Sequence, residues 1–324
     1  MVLRERVQRL VTRGTALATN RRVRIVGQVL LLGGVIFVVF RLGSPWRDSH
    51  VAWGSVRWLP LVGALLVAIA AVLAAAVTWN RILRALGVET RPRWAGVFLQ
   101  AQLAKYVPGG VWQYAGRVAL SRSEDIPVKA VTMSLPIELA GTVLAGALLS
   151  LLAVGPWGLA AAALALASVF LLSVLGKAET AITAGRRWFR GGDRVAGAVP
   201  RAIIASLIPY VAITALLGVT LWLAADALFG VPWGDLPFYI GAFSIAWLTG
   251  LVAVFAPGGL GVREAILVAL LRGRLGTADA VVLATVSRAV LTIADLLGAC
   301  VGVLIRRSRG SGLRPGTRLK AHRG

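Results

Sequence analysis

Three ionisable side chains, Glu138, Arg288 and Asp295, stand deep inside long apolar runs of the chain. A charge at the centre of a membrane helix costs roughly 2.5–3.5 kcal/mol, whereas each Leu or Ile there contributes only about 0.3–0.6. The three must therefore face a protein interior or a water-filled cavity, close enough to compensate one another. The expected arrangement is one shared polar cluster of Glu138 and Arg288, with Asp295 as a second partner. Helical spacing supports it. Ser134, Glu138 and Thr142 recur every four residues, and Arg288, Thr292 and Asp295 lie at i, i+4 and i+7, so each set shares a face. A third stripe, Ser206, Tyr210 and Thr214, reads rather as ordinary packing between helices by small polar residues.

A second chemistry belongs to two glycine-rich turns. Pro108-Gly109-Gly110 is followed by Arg117, and Pro257-Gly258-Gly259 by Gly261, Arg263 and Glu264. A helix opening at Val262 would present unpaired N–H groups and the positive end of its dipole. Glycines lacking a Cβ let an anion approach that backbone, and Arg117 and Arg263 can add charge-assisted contacts that suit a phosphate. The alternative is that the glycines only shape a tight turn and Arg263 snorkels to the interface. A nucleotide-binding loop does not fit, because no Gly-Lys-Ser/Thr follows and no strand precedes.

Enzymatic constellations are missing. His50 and His322 are the only histidines and Cys300 the only cysteine, so no disulfide or thiolate metal site can form within one chain, and a histidine-rich metal centre or haem site is not expected. No Ser-His-Asp or Cys-His set exists. Glu138 and Asp295 could in principle serve as acid and base, but no metal or cofactor is expected, and catalysis is the less favoured reading.

The elements that carry these residues are membrane-like. Of 324 residues 58% are apolar and 15% charged, against about 45–50% and 25% in soluble domains. Six runs approach or reach the roughly 20 residues needed to span a bilayer: 25–42, 59–79, 131–154, 158–176, 202–229 and 278–305. Two more stretches are broken. Residues 94–107 end at the first Pro-Gly-Gly. Residues 238–255 run into the second and are followed by a short apolar stretch at 262–271. Pro and Gly stop a helix there, so 94–120 and 238–271 are each expected to enter and return to one side. The net charge of +22 would suggest nucleic acid in a soluble protein. Here the bases flank apolar runs, which is topology marking, and no nucleic-acid partner is expected. Seven arginines lie in residues 1–24, six Lys/Arg in 177–201 and seven in the tail from Arg306. That places both termini in the cytoplasm and residues 155–157 and Asp235 outside. The domains expected are a basic cytoplasmic segment 1–24, a transmembrane domain 25–305 and a basic, disordered tail 306–324.

The broken segments also repeat. Lys105-Tyr106-Val107-Pro108-Gly109-Gly110-Val111 matches Val254-Phe255-Ala256-Pro257-Gly258-Gly259-Leu260 at an offset of 149. Pro108 precedes Glu138 by 30 residues and Pro257 precedes Arg288 by 31. One copy would enter from the cytoplasm and the other from outside, an inverted repeat with halves around 94–154 and 238–305, as in transporters whose sites lie between broken helices at the midplane. The expected fold is thus all-α and polytopic, with about six spans and two re-entrant pairs.

Tyr106 to Val111 with Arg117, and Ala256-Pro257-Gly258-Gly259-Leu260-Gly261-Val262-Arg263-Glu264, resemble the two signatures of the lysylphosphatidylglycerol synthase transmembrane-domain family, also called flippase-like. The resemblance covers about residues 25–305. The chain departs from that family's pattern at Glu138-Leu139, where Glu-Arg is frequent, and at Trp112-Gln113-Tyr114-Ala115-Gly116. The resemblance implies a multi-pass protein of the cytoplasmic membrane that binds an anionic phospholipid or lipid-linked saccharide and moves it between leaflets. The alternative function is an accessory or intramembrane subunit for polyprenyl-phosphate-dependent glycosylation or lipid modification, with a glycosyltransferase or lipid-modifying enzyme as partner. The aminoacyl-transferase domain of two-part relatives does not follow here, so lysyl transfer is not expected.

Overall fold

The computed structural model describes residues 49, 51, 53–107, 112–154, 198–253, 259 and 261–307. The runs 25–42 and 158–176, the turn residues Pro108, Gly109, Gly110, Pro257 and Gly258, and most of the basic segments lie outside the described residues.

Eight α-helices and no strand occur among the described residues: α1 Trp58–Ala85, α2 Trp94–Gln102, α3 Trp112–Arg122, α4 Val128–Val154, α5 Ala198–Phe229, α6 Leu236–Val252, α7 Val262–Leu275 and α8 Thr277–Arg307. A 3-10 turn, Leu103–Tyr106, prolongs α2, and Trp233–Asp235 leads into α6. Five segments are long and apolar enough to cross a membrane: α1, α4, α5, Trp233–Val252 and α8. The fold is that of a multi-pass helical membrane protein. Residues 238–255, long enough in sequence to span but expected as the first arm of a re-entrant pair because they run into Pro257-Gly258-Gly259, fall largely in Trp233–Val252, which has the length and hydropathy of a span. Its apolar run starts upstream of Phe238, behind Pro237, which is tolerated in a first turn.

The two short helix pairs are hairpins closed at their mouths by ion pairs. Arg93, just before α2, meets Glu124, just after α3, at 3.2 Å. Asp235, just before α6, meets Arg274 near the end of α7 at 2.7 Å. Arg306 at the end of α8 joins the first set, 2.8 Å from Glu124, whereas α8 starts immediately after α7 in the second. With 31 residues in α8, the two sets are separated by about 45 Å of helix. They mark opposite ends of the molecule, and each hairpin returns to the end from which it set out.

Packing follows a consistent exchange. The first hairpin packs on the last helix (α2 on α8) and the second on the fourth (α6 on α4). Likewise α1 packs on α8 and α5 on α4, while α1 and α5 pack on one another. Both hairpin crossings are close because they use small residues. A Cβ on Gly96 of α2 would lie 2.6 Å from the Gly302 carbonyl oxygen of α8, and one on Gly241 of α6 would collide with the Ala153 backbone of α4. Between them the helices bury a core in which Trp79, Phe98, Trp222, Tyr239 and Phe243 are essentially inaccessible. The indole N–H groups of Trp79 and Trp222 donate to Ser134 Oγ at 2.9 Å and the Pro232 carbonyl at 3.2 Å.

Candidate functional site

Glu138, Arg288 and Asp295, the ionisable residues placed inside the apolar runs, line one cavity of about 430 Å³. Its lining includes Gln102, Lys105 and Tyr106 from the first hairpin, Glu138 from α4, Arg263 and Gly259 from the second, and Arg288 and Asp295 from α8. Glu138 is 10 residues into α4 from one end of the molecule and Arg288 is 11 residues into α8 from the other, each about 15 Å from its helix terminus. A second hollow of about 500 Å³, lined in part by Arg57, Arg274 and Asp279, sits at the Asp235 end. Its arginines are already paired, Arg57 with Asp226 at 2.6 Å and Arg274 with Asp235, so the inner cavity holds the unusual chemistry.

The pairing differs from the expectation. Glu138 does not take Arg288 as its partner; it accepts both terminal N–H groups of Arg117, one through a short hydrogen bond to Oε2 and one to Oε1 at 2.9 Å. Arg117 has 0% exposure and lies over Phe98, its guanidinium carbon 4.1 Å from the ring centroid. The guanidinium is therefore engaged from behind the cavity, its charge already matched by Glu138. Asp295 likewise pairs elsewhere. It accepts Lys105 Nζ at 2.7 Å and the Tyr106 hydroxyl at 2.6 Å. Arg288 lies 3.7 Å from Glu264 Oε1 and over the Tyr106 ring.

These pairs again correspond between halves. Arg117 of α3 binds Glu138 of α4; Glu264 of α7 faces Arg288 of α8, with the charges reversed. The mouths are reversed too, Arg93 with Glu124 against Asp235 with Arg274. Arg263 stands outside this scheme. It is 9% exposed, lines the cavity and lies over Phe243 at 4.4 Å, and among the described residues no carboxylate pairs with it and no hydrogen bond is made by its side chain.

Backbone geometry explains why Arg263 reaches this point. Gly259 and Gly261 adopt φ of +71° and +86°, the left-handed region that favours glycine. Gly261 caps α7, its N–H donating to Glu264 Oε2 at 2.7 Å, so Glu264 serves both the helix start and Arg288. Gly259 packs flat on Gly250 of α6, where an added Cβ would lie 3.1 Å from Gly250 Cα. The turn is thereby held against α6 and the first turn of α7 opens beside the cavity.

Of the residues expected at the site, Glu138, Gly259, Arg263, Arg288 and Asp295 line the one cavity, while Arg117 and Glu264 stand behind it as partners. Lys105, Tyr106, Gln102 and the Tyr210/Thr214 face line the cavity as well, beyond the residues expected there. A legible signal for the pairing existed: Arg117 precedes Glu138 by 21 residues and Glu264 precedes Arg288 by 24, with opposite charge order. Among the described residues no group of three or more His, Cys, Asp or Glu could hold a metal ion.

The fold and cavity define a class, helical multi-pass membrane proteins with a charged interior site. Comparison with protein families, characterised proteins and solved structures finds no match to this chain.

Proposed function

We infer that the protein binds the anionic headgroup of a membrane lipid in its inner cavity and moves that lipid between leaflets. The observation that carries this reading is Arg263. A buried guanidinium without an anion is costly, so its position is best accounted for by a ligand that brings the negative charge. The first turn of α7 adds donors and dipole on the same side, and Phe243 retains the cation when the cavity is empty. The apolar part of the cavity, including Leu217, Trp247 and Leu291, suits the segment of lipid next to the headgroup.

The transport half of the reading is supported by the exchange of helix packing and by the charge-reversed pairs, both of which suit an inverted repeat with its site between the halves. In this reading α1, α4, α5 and α8, with the runs 25–42 and 158–176, make six crossings, and the two hairpins open from opposite faces. The Arg93–Glu124–Arg306 end is cytoplasmic. The resemblance of the Pro-Gly-Gly signatures to the flippase-like family points in the same direction.

The test is lipid analysis of the full chain purified in mild detergent. Phosphate-bearing anionic lipids are expected to be enriched over the host membrane, with Arg263→Ala losing the enrichment and Arg263→Lys keeping part of it, because Lys supplies charge without the bidentate fork. Equal enrichment in folded Arg263→Ala and unmodified protein would overturn the headgroup role of Arg263.

A further inference from the structure

The neutral polar groups of the cavity carry information that its charges do not. Tyr210 and Thr214 lie four residues apart on α5, are 3% exposed and both line the cavity. Ser206, one turn earlier on the same stripe, donates its hydroxyl to the Ile203 carbonyl at 2.8 Å, and both it and the Tyr210 ring pack on Gly141, where a Cβ would lie 3.0 Å from Ser206 Oγ and 2.6 Å from Tyr210 Cδ2. The hydroxyls of Tyr210 and Thr214 differ from that of Ser206. The Tyr210 hydroxyl is buried without a hydrogen-bond partner. Other mid-helix threonines, such as Thr142, Thr220 and Thr292, donate to the carbonyl four residues back. Thr214 alone among the described mid-helix threonines makes no hydrogen bond. On α2, Gln102 Oε1 is also buried and unpartnered, and Gln102 lines the same cavity.

Leaving a buried group such as the Tyr210 hydroxyl or Gln102 Oε1 unpaired costs about 1–3 kcal/mol, and together with the Thr214 hydroxyl, which makes no hydrogen bond, they define what would satisfy this cavity. Gln102 Oε1 needs a donor, which a phosphate ester cannot supply. An ammonium can donate, but it requires a carboxylate, and those lining the cavity are taken: Glu138 by Arg117, Asp295 by Lys105 and Tyr106. A hydroxyl group donates and accepts at once and brings no charge. Several hydroxyls on one small frame would serve Tyr210, Thr214 and Gln102 together.

Resting on the headgroup reading above, we propose that the cavity selects a headgroup of two parts: one phosphate seated against Arg263, and a neutral, polyhydroxylated group of glycosyl type whose hydroxyls pair with Tyr210, Thr214 and Gln102. The phosphate side fixes charge and the α5 side reads hydroxyls. Lipids whose phosphate carries an amine are discriminated against, because no cavity carboxylate is left to receive it.

Isothermal titration of the full chain in detergent tests this with three soluble probes. These are a citronellyl phosphodiester of a hexose, the corresponding methyl phosphodiester of equal charge, and a short-chain phosphatidylethanolamine. The hexosyl probe is expected to bind about tenfold more tightly than the methyl probe, and the phosphatidylethanolamine most weakly. Tyr210→Phe and Thr214→Val, which keep shape, should each cut the hexosyl advantage to below about threefold and leave methyl-probe affinity unchanged, and Gln102→Leu should act in the same way. Arg263→Ala should weaken both phosphodiesters. A hexosyl probe no tighter than the methyl probe, or an advantage that survives all three substitutions, overturns the hydroxyl assignment. If Arg263→Ala still weakens binding in that case, the anionic-headgroup reading stands. If no probe binds, or Arg263→Ala changes nothing, both fail.

Discussion

Removing the Glu138 carboxylate should be among the most destabilising single changes in this chain, and more so than removing its partner. Glu138→Ala leaves the Arg117 guanidinium with 0% exposure and no anion, and breaking a buried pair in this way costs about 3–5 kcal/mol. Cation–π contact with Phe98 at 4.1 Å returns only about 1–2 kcal/mol of electrostatic support, and it is already present before the change. The reverse substitution, Arg117→Met, leaves Glu138 at the cavity wall with 13% side-chain exposure. There the carboxylate can take water or a proton, so the expected cost is about 1–3 kcal/mol. The double variant Arg117→Met/Glu138→Leu replaces both charges by apolar groups of similar size and should recover most of the loss. Thermal unfolding in detergent reads the series, with Glu138→Ala lower by on the order of 10 °C and the double variant within a few degrees of the parent. A coupling below about 0.5 kcal/mol in this double-mutant cycle, or Arg117→Met costing more than Glu138→Ala, would show that the pair is not a desolvated unit.

Three further outcomes are expected. Gly259→Ala forces a side chain into φ +71° with its Cβ 3.1 Å from Gly250 Cα, so it should lose at least about 2 kcal/mol of stability, measured by the same melts. Gly273→Ala, which has nothing within 4 Å, should be near neutral or slightly favourable and serves as its control. With Cys300 replaced, Glu89→Cys in the loop before α2 should be labelled from the cytoplasmic side by an impermeant maleimide, and Gly234→Cys from the opposite side. Labelling of both from one side would contradict the assignment of Arg93–Glu124 and Asp235–Arg274 to opposite faces. Finally, Gly96→Ala and Gly241→Ala should be destabilising by similar amounts, about 1–3 kcal/mol each, since they widen corresponding crossings, α2 on α8 and α6 on α4.

Much of the architecture was legible because bilayer-scale hydropathy and helical period act locally. The runs 59–79, 131–154, 202–229 and 278–305 lie within helices Trp58–Ala85, Val128–Val154, Ala198–Phe229 and Thr277–Arg307. Residues 262–271 lie within Val262–Leu275, and the break after Val107 follows a short helix and 3-10 turn. Face sharing by Arg288, Thr292 and Asp295 was legible for the same reason. What could not be read was partner choice. Insertion cost requires that Glu138, Arg288 and Asp295 be compensated, but it does not say by whom. The hairpins bring Lys105 to Asp295 across 190 residues of sequence and tuck Arg117 behind Glu138. Polar faces were similarly ambiguous: the spacing of Ser206, Tyr210 and Thr214 is the same for packing and for binding, and what separates them is that Tyr210 and Thr214 line the cavity and Thr214 lacks the hydrogen bond that Ser206 makes.

The most direct measurement is translocation itself, in sealed vesicles containing the purified full chain and a fluorescent phosphodiester lipid whose outer-leaflet fraction is read by an impermeant quencher. Exchange between leaflets should exceed that of protein-free vesicles with the unmodified chain. It should fall about tenfold with Arg263→Ala and be partly restored with Arg263→Lys. Exchange with the unmodified chain equal to that of protein-free vesicles, for both hexosyl and glycerol phosphodiester lipids, would contradict a transport role, and full exchange by Arg263→Ala would contradict the site.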